Sequence, residues 1–270
     1  VYNNSYSESS ILPTLIDPVT GDSTGQRLII DEFTDKGEYY LLSFFGRFNY
    51  TFNDKYLLTF TLRNDGTSRF HPDNRWGLFP AVALGWKINE EVFLSDSRTV
   101  SQLKLRLGWG VTGQQDIGGY YDYMGRYTYS TNFAQYPFGN TYYNTLRPEG
   151  YNPDLKWEET TTWNAGLDYG FLQDRIYGSL DVYLRQTKDL LSFVPVDAGS
   201  NLSNFINRNI GELENRGVEF SINAKPIVKD NLLWDVGFNI TYNENEITEL
   251  YQGASIATGG ISGGVGNNIQ

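Results

Sequence analysis

The side chains that could do chemistry are few in this chain and poorly arranged for catalysis. Its 270 residues include one histidine and no cysteine. His71 therefore stands alone, and a multi-histidine metal site, a thiolate site and a disulfide scaffold all lack their ligands. Zinc catalysis and Ser-His-Asp chemistry lack support for the same reason. Glu158 and Glu159 are adjacent, so on a strand they point to opposite faces and make a poor acid/base pair. The glycine run at 259–266 lacks the lysine of a phosphate-binding loop, and no calcium loop of the D-x-D-x-D-G type occurs. No catalytic residue, metal or cofactor is expected. What remains is the chemistry of recognition.

Two groups of residues suit recognition. Nine of the twenty tyrosines fall between Gly113 and Leu155. From this stretch Tyr120, Tyr121, Tyr123, Tyr127, Tyr129, Phe133, Tyr136, Tyr142 and Tyr143 are the candidate ligand contacts, with Phe138 beside them. Aromatic faces stack on sugar C–H surfaces and phenol hydroxyls hydrogen-bond, which suits a glycan or a peptide. The same rings can instead pack the segment against itself or against a partner. The second group is charged: Arg47, Arg63, Lys104, Arg106, Asp168, Asp181, Arg185, Glu219 and Asp235. Each sits in the polar phase of an alternating segment, where it could line a wet path or pair with its neighbours.

Those segments are the elements that must hold both groups in place. From Arg175 to Gln186, Ile176, Gly178, Leu180, Val182 and Leu184 alternate with Arg175, Tyr177, Ser179, Asp181, Tyr183 and Arg185. Successive side chains on a strand point to opposite faces, so one wall is apolar and the other polar. Seven more segments share the pattern, near 40–52, 55–65, 76–88, 103–112, 156–171, 218–225 and 232–242. No stretch of comparable length has helical periodicity. Soluble strands average about 5–6 residues, whereas a membrane strand needs about 9–11. Short polar connections at Asn53-Asp54, Gln173-Asp174 and 228–231 alternate with longer ones at 66–75, 113–155 and 188–210. The link at 89–101 is intermediate and has room for one helical turn. Short turns at one end and long loops at the other describe an up-and-down outer-membrane meander. A soluble β-sandwich that binds glycans also alternates, and strand by strand the two are alike. The expected layout is a loop-like lead-in over 1–38, eight strands over 39–244, and a flexible Gly-rich stretch over 245–270. The net charge of −11 counts against a nucleic-acid partner.

Four blocks carry a family resemblance. SFFGRFNYTFNDKYLLTFTLRNDGTSRF begins at Ser43 and is followed by NRWGLFPAVALGWKINEEVF; LKLRLGWGVTGQQDIG begins at Leu103; NPDLKWEETTTWNAGLDYGFLQDRIYGSLDVYLRQTKDLL begins at Asn152; NIGELENRGVEFSINAKP begins at Asn209. In this order they resemble the barrel of SusC/RagA-type TonB-dependent outer-membrane transporters of Bacteroidetes. The resemblance implies an all-β fold, an antiparallel transmembrane segment of a barrel of about 22 strands. It further implies import of oligosaccharides or peptides, a SusD-like surface lipoprotein as partner, and energy from the TonB complex through a plug. The chain departs from the full pattern in having no recognisable TonB box, plug or terminal aromatic strand. It is therefore expected to be an internal or truncated arc of the barrel.

Overall fold

The computed structural model describes residues 14–16, 23–27, 37–129, 135–139, 141–197 and 199–249. Eight long strands dominate: β1 (Leu41–Phe52), β2 (Tyr56–Thr67), β3 (Trp76–Lys87), β4 (Val100–Gln114), β5 (Glu158–Phe171), β6 (Ile176–Lys188), β7 (Glu212–Lys229) and β8 (Leu232–Glu249). They form one antiparallel sheet in which each strand pairs only with its neighbours in sequence. The two outermost strands, β1 and β8, do not pair with each other, so the sheet is an open arc.

Register turns eight separate alternations into two continuous faces. Tyr50, Leu58, Leu84, Leu107, Ala165, Val182, Val218 and Tyr242 are successive partners across all eight strands. One residue along, the row on the other face reads Asn49, Thr59, Ala83, Gly108, Asn164, Tyr183, Gly217 and Asn243. A slip of one residue in any strand would carry its whole apolar set to the polar side, and this cost locks the register.

The apolar face has no protein cover. Leu84 is 47% exposed and Leu107 43%, although both lie inside the sheet with strands on either side. Among the described residues no second sheet packs on this wall; the remaining ladders are two-stranded hairpins. The sandwich alternative is thus not realised, because a sandwich buries that face against a facing sheet.

The connections differ by end. Residues 53–55, 88–99, 172–175 and 230–231 turn at one end, and Asn53 and Asp54 take the left-handed backbone that Asn and Asp tolerate (φ 48° and 53°). The link at 88–99 does contain a helical turn: Leu94 and Ser95 donate their N–H groups to the Glu91 carbonyl at 2.9 and 2.8 Å. At the other end, 115–157 and 189–211 contain hairpins of their own. Tyr127–Tyr129 pairs with Leu146–Pro148, Gln135–Phe138 with Thr141–Asn144, and Leu191–Pro195 with Phe205–Asn209. The lead-in holds a further ladder of Thr14–Ile16 with Ser23–Arg27. β8 runs on to Glu249, past the expected boundary at 244, and the glycine run lies outside the described residues.

The buried core sits at the loop end. Phe70, Phe79, Leu155 and Trp157 form it, with Val111, Ile117 and Leu191 packed around. Phe79 is on the polar face of β3, but its ring lies over Gly77 and Gly113, where a Cβ would collide with it. Trp157 meets Phe79 and Phe70 edge to face, with centroids 5.3 and 5.8 Å apart, and its indole N–H donates to the Arg75 carbonyl at 3.0 Å. The oily knot thus fastens the returning loop to the top of the wall.

Candidate functional site

The polar face of the wall carries the charged candidates. Arg106 on β4 donates through Nε to both Asp168 oxygens at 3.0 and 2.9 Å and through Nη2 to both Asp181 oxygens at 2.8 and 3.0 Å. It reaches Asp181, two strands away, because Gly166 stands between them in the register; a Cβ there would run into both side chains. Nη2 also lies 2.9 Å from Asp168 Oδ1, so the Asp168 pair is bidentate, an arrangement that is strong and geometrically demanding. Arg63 pairs with Asp65 at 2.7 Å and donates to the Ser43 hydroxyl at 3.1 Å. Arg47 donates to Thr61 Oγ1 at 3.2 Å, and the Arg185 guanidinium lies 5.3 Å from the Tyr183 ring centre. Lys104 stands in register with Asp168, and Glu219 with Asp181. Asp235 lies beside the irregularity where β7 and β8 shift register between Ala224 and Ile227. Between these charges the face is floored by small residues, and a shallow groove of about 300 Å³ runs past Thr59, Thr61, Ala81, Ala83, Gly108 and Thr162.

At the loop end the aromatic candidates separate into two sets. Tyr120, Tyr121 and Tyr123 are packed at the base. Tyr120 stacks on Tyr39 with centroids 5.4 Å apart, and the Arg69 guanidinium lies 4.5 Å from the Tyr39 ring and 5.3 Å from that of Tyr120. Arg69 is itself buried and ion-paired with Asp116. That pairing, with a second hydrogen bond from the Gly118 N–H, holds the Asp116 carboxyl below its ordinary range. The Tyr121 hydroxyl accepts the Glu38 N–H at 3.0 Å, its ring carries Arg126, and Tyr123 meets His71 edge to face. These rings hold the loop to the wall.

The second set projects. Tyr127, Tyr136, Tyr142 and Tyr143 are exposed, as is Phe138. Tyr136 and Tyr143 are register partners on one hairpin, and Phe138, two residues from Tyr136, shares their face. Tyr129 pairs in register with Leu146, and Phe133 lies outside the described residues.

Asparagines join the two long loops. The Tyr151 N–H donates to Asn201 Oδ1 at 3.2 Å, while Asn201 Nδ2 donates to the Tyr151 carbonyl at 2.9 Å. Asn207 Nδ2 donates to Asp122 Oδ2 at 2.5 Å and its carbonyl accepts from Asn152 Nδ2 at 3.0 Å. Asn209 accepts the Lys156 N–H at 2.9 Å and donates to the carbonyls of Lys156 and Asp189 at 2.8 and 2.9 Å. A side-chain amide donates and accepts at once, which makes it an efficient bridge between backbones. Beside the bridges lies a polar cleft of about 320 Å³, bordered by Tyr151, Asn152, Ser200, Asn201, Ile206 and Arg208. Stacked Phe193 and Phe205, 5.5 Å apart, crown the 189–211 hairpin. None of these residues stands out from local periodicity, although the spacing of Asn201, Asn204, Asn207 and Asn209 is dense enough to signal a loop that bridges to other backbone.

An exposed apolar wall, a polar opposite face and long loops at one end match a known group of proteins. The family model described as TonB dependent receptor-like, beta-barrel matches residues 2–268. The chain belongs to this family. It is 58% identical over 213 residues to the TonB-dependent receptor SusC of Bacteroides thetaiotaomicron, covering 79% of this chain and 21% of that protein. It is 40% identical over 227 residues to the TonB-dependent receptor P39 of Formosa agariphila, covering 84% and 21%. Among solved structures it resembles the RagAB peptide importer in its closed-closed state, with a TM-score of 0.72 and 29% identity over 89% of this chain and 25% of that one. The chain thus spans about a fifth of the length of the curated relatives it matches. It is a segment of a TonB-dependent receptor β-barrel in the outer membrane, from a family of receptors and transporters rather than enzymes. Among the described residues β1 and β8 have open edges, and in a barrel of this family the apolar face of the strands is the lipid-facing one.

Proposed function

We propose that the complete protein is a TonB-dependent importer of oligosaccharides or peptides, and that this segment supplies part of its receiving face and part of its wet path. One observation carries the reading: Tyr136, Phe138 and Tyr143 are exposed on one face of a hairpin at the loop end, above a wall whose other face holds the Arg106–Asp168–Asp181 cluster. Aromatic rings beyond the membrane surface suit capture of a polar ligand, and charged groups suit a hydrated passage. A SusD-like surface lipoprotein would close over the loops. Energy would come from the TonB complex acting through a plug. The candidate contacts are the projecting rings; Tyr120, Tyr121 and Tyr123 act as their foundation.

The test uses the whole transporter in native outer membrane. Replacing Tyr136 and Tyr143 together with alanine is expected to weaken binding of the imported ligand about tenfold, the effect of removing stacking contacts. Binding is read with labelled oligosaccharide and labelled peptide pools in parallel. Unchanged binding of both pools by the double variant would sink the assignment.

A further inference from the structure

The turn joining β3 to β4 presents a second apolar feature, at the end away from the ligand loops. Val92 and Phe93 are 85% and 72% exposed, more than the Leu84 and Leu107 side chains of the lipid-facing wall. Their position follows from Glu91, the residue before them. Glu91 Oε1 accepts the Tyr56 hydroxyl at 2.7 Å and the Trp86 indole N–H at 3.0 Å, and Oε2 pairs with Lys55 at 3.4 Å. Tyr56 and Trp86 are register partners on the apolar face, and Phe52, Tyr56 and Trp86 stack in sequence at 6.3 and 6.4 Å. Three donors thus tie the turn to the lipid side of the wall, at its aromatic border. The same donors, the Tyr56 hydroxyl above all and then the Trp86 indole, hold the Glu91 carboxyl below its ordinary range. A carboxylate satisfied in this way stays charged at the edge of an apolar band.

Two observations decide what covers Val92 and Phe93. Leu94, whose N–H closes the turn on the Glu91 carbonyl, is half-buried, while Val92 and Phe93 on the same turn are exposed. Strands β2 and β5 flank β3 and β4, so a strand added at the open edge of β1 or β8 is not a neighbour of this turn. The patch is also continuous with the lipid-facing band through Tyr56 and Trp86. Apolar residues beside an aromatic girdle sit at the headgroup boundary, about 5–10 Å into the lipid.

We infer that the β3–β4 turn is an interfacial foot, seating Val92 and Phe93 in the phospholipid leaflet at the short-turn end of the barrel, with Glu91 clamped by Tyr56, Trp86 and Lys55 setting its angle. A single thiol tests this in the whole transporter, freed of any other cysteine and placed in phospholipid bilayers. An environment-sensitive fluorophore on F93C is compared with the same label on L84C, in the middle of the lipid face, and on N231C, in the short turn joining β7 to β8 at the same end. Lipid carrying a shallow nitroxide is expected to quench the F93C label about twofold, with soluble iodide having little effect, as for a group at headgroup depth. The N231C label is expected to reverse that order. Adding Glu91→Ala is expected to shift the F93C label toward iodide. If L84C is lipid-quenched and F93C answers only to iodide, the foot is overturned. It is equally overturned if F93C is shielded from both quenchers, which would mean protein cover. Should L84C itself escape lipid quenching, the lipid face of the wall has been misassigned, and the foot, argued from its continuity with that face, falls with it.

Discussion

The loop-end knot and the middle of the wall hold apolar side chains in opposite circumstances. Phe70 and Leu155 have no exposed surface, and Phe79 and Trp157 have 6% each. At mid-wall, Leu84 and Leu107 stay almost half exposed although strands flank them on both sides. The loop end builds a core from its own returning chain, as a soluble protein does. The wall is held by its hydrogen-bonded ladder and leaves its apolar surface for lipid to cover. The difference teaches that burial within one chain is no measure of stability in a membrane segment. The solvent on the apolar side decides whether exposure is a cost.

Trp157→Ala breaks this comparison hardest. It removes a ring packed between Phe70 and Phe79 and a hydrogen bond to Arg75. Loss of a buried aromatic costs about 3–5 kcal/mol. Proteolysis in detergent is expected to open 115–157 at protease levels that leave the wild-type loop intact, while heat-stable barrel migration on gels persists. Loss of the whole barrel instead would show that the two regions fold as one unit.

Leu107→Arg probes the wall. An arginine on the lipid face at mid-bilayer costs about 2–4 kcal/mol, and much less near the interface. Folding titrations into lipid vesicles are expected to show a penalty of that size, and Leu103→Arg, on the same face of β4 but at its aromatic border beside Tyr169, a small one. Equal penalties at both sites would mean that the exposed face does not cross lipid.

The smallest effect is electrostatic and belongs to the loop end. Asp116 is held below its ordinary value of 3.8 by the Arg69 hydrogen bond first and the Gly118 N–H second. A depressed carboxyl pKa stabilises the folded state fully above the unfolded value and loses that contribution as pH falls through the folded one. Hydrogen exchange around Tyr39 and Tyr120 is therefore expected to quicken, after correction for intrinsic rate, only below pH 3.8. Asp116→Asn should show the quickened exchange at neutral pH with little further change on acidification.

Much of this architecture is local and therefore legible in sequence. Ile176, Leu180 and Val182 alternate with Ser179, Asp181 and Tyr183, and that identifies a strand and sorts its faces without reference to another element. Asn53-Asp54 marks a tight turn because those residues accept left-handed backbone. The long Tyr-rich segment is equally visible as a loop. Its rings were not separable there, since Tyr120 and Tyr136 have the same chemistry and similar polar neighbours.

Alternation thus determined the strands, their two faces and the end that bears long loops, because a strand's side-chain period is set by its own backbone. Only the tertiary structure decided which tyrosines pack and which project, that Arg106 crosses Gly166 to reach Asp181, and that Glu91 folds back onto Tyr56 and Trp86. Asn207 and Asp122 are 85 residues apart in the chain, and Asn201 and Tyr151 are 50 apart. Contacts of that kind depend on where each loop returns to the wall, which the spacing of neighbouring residues does not encode.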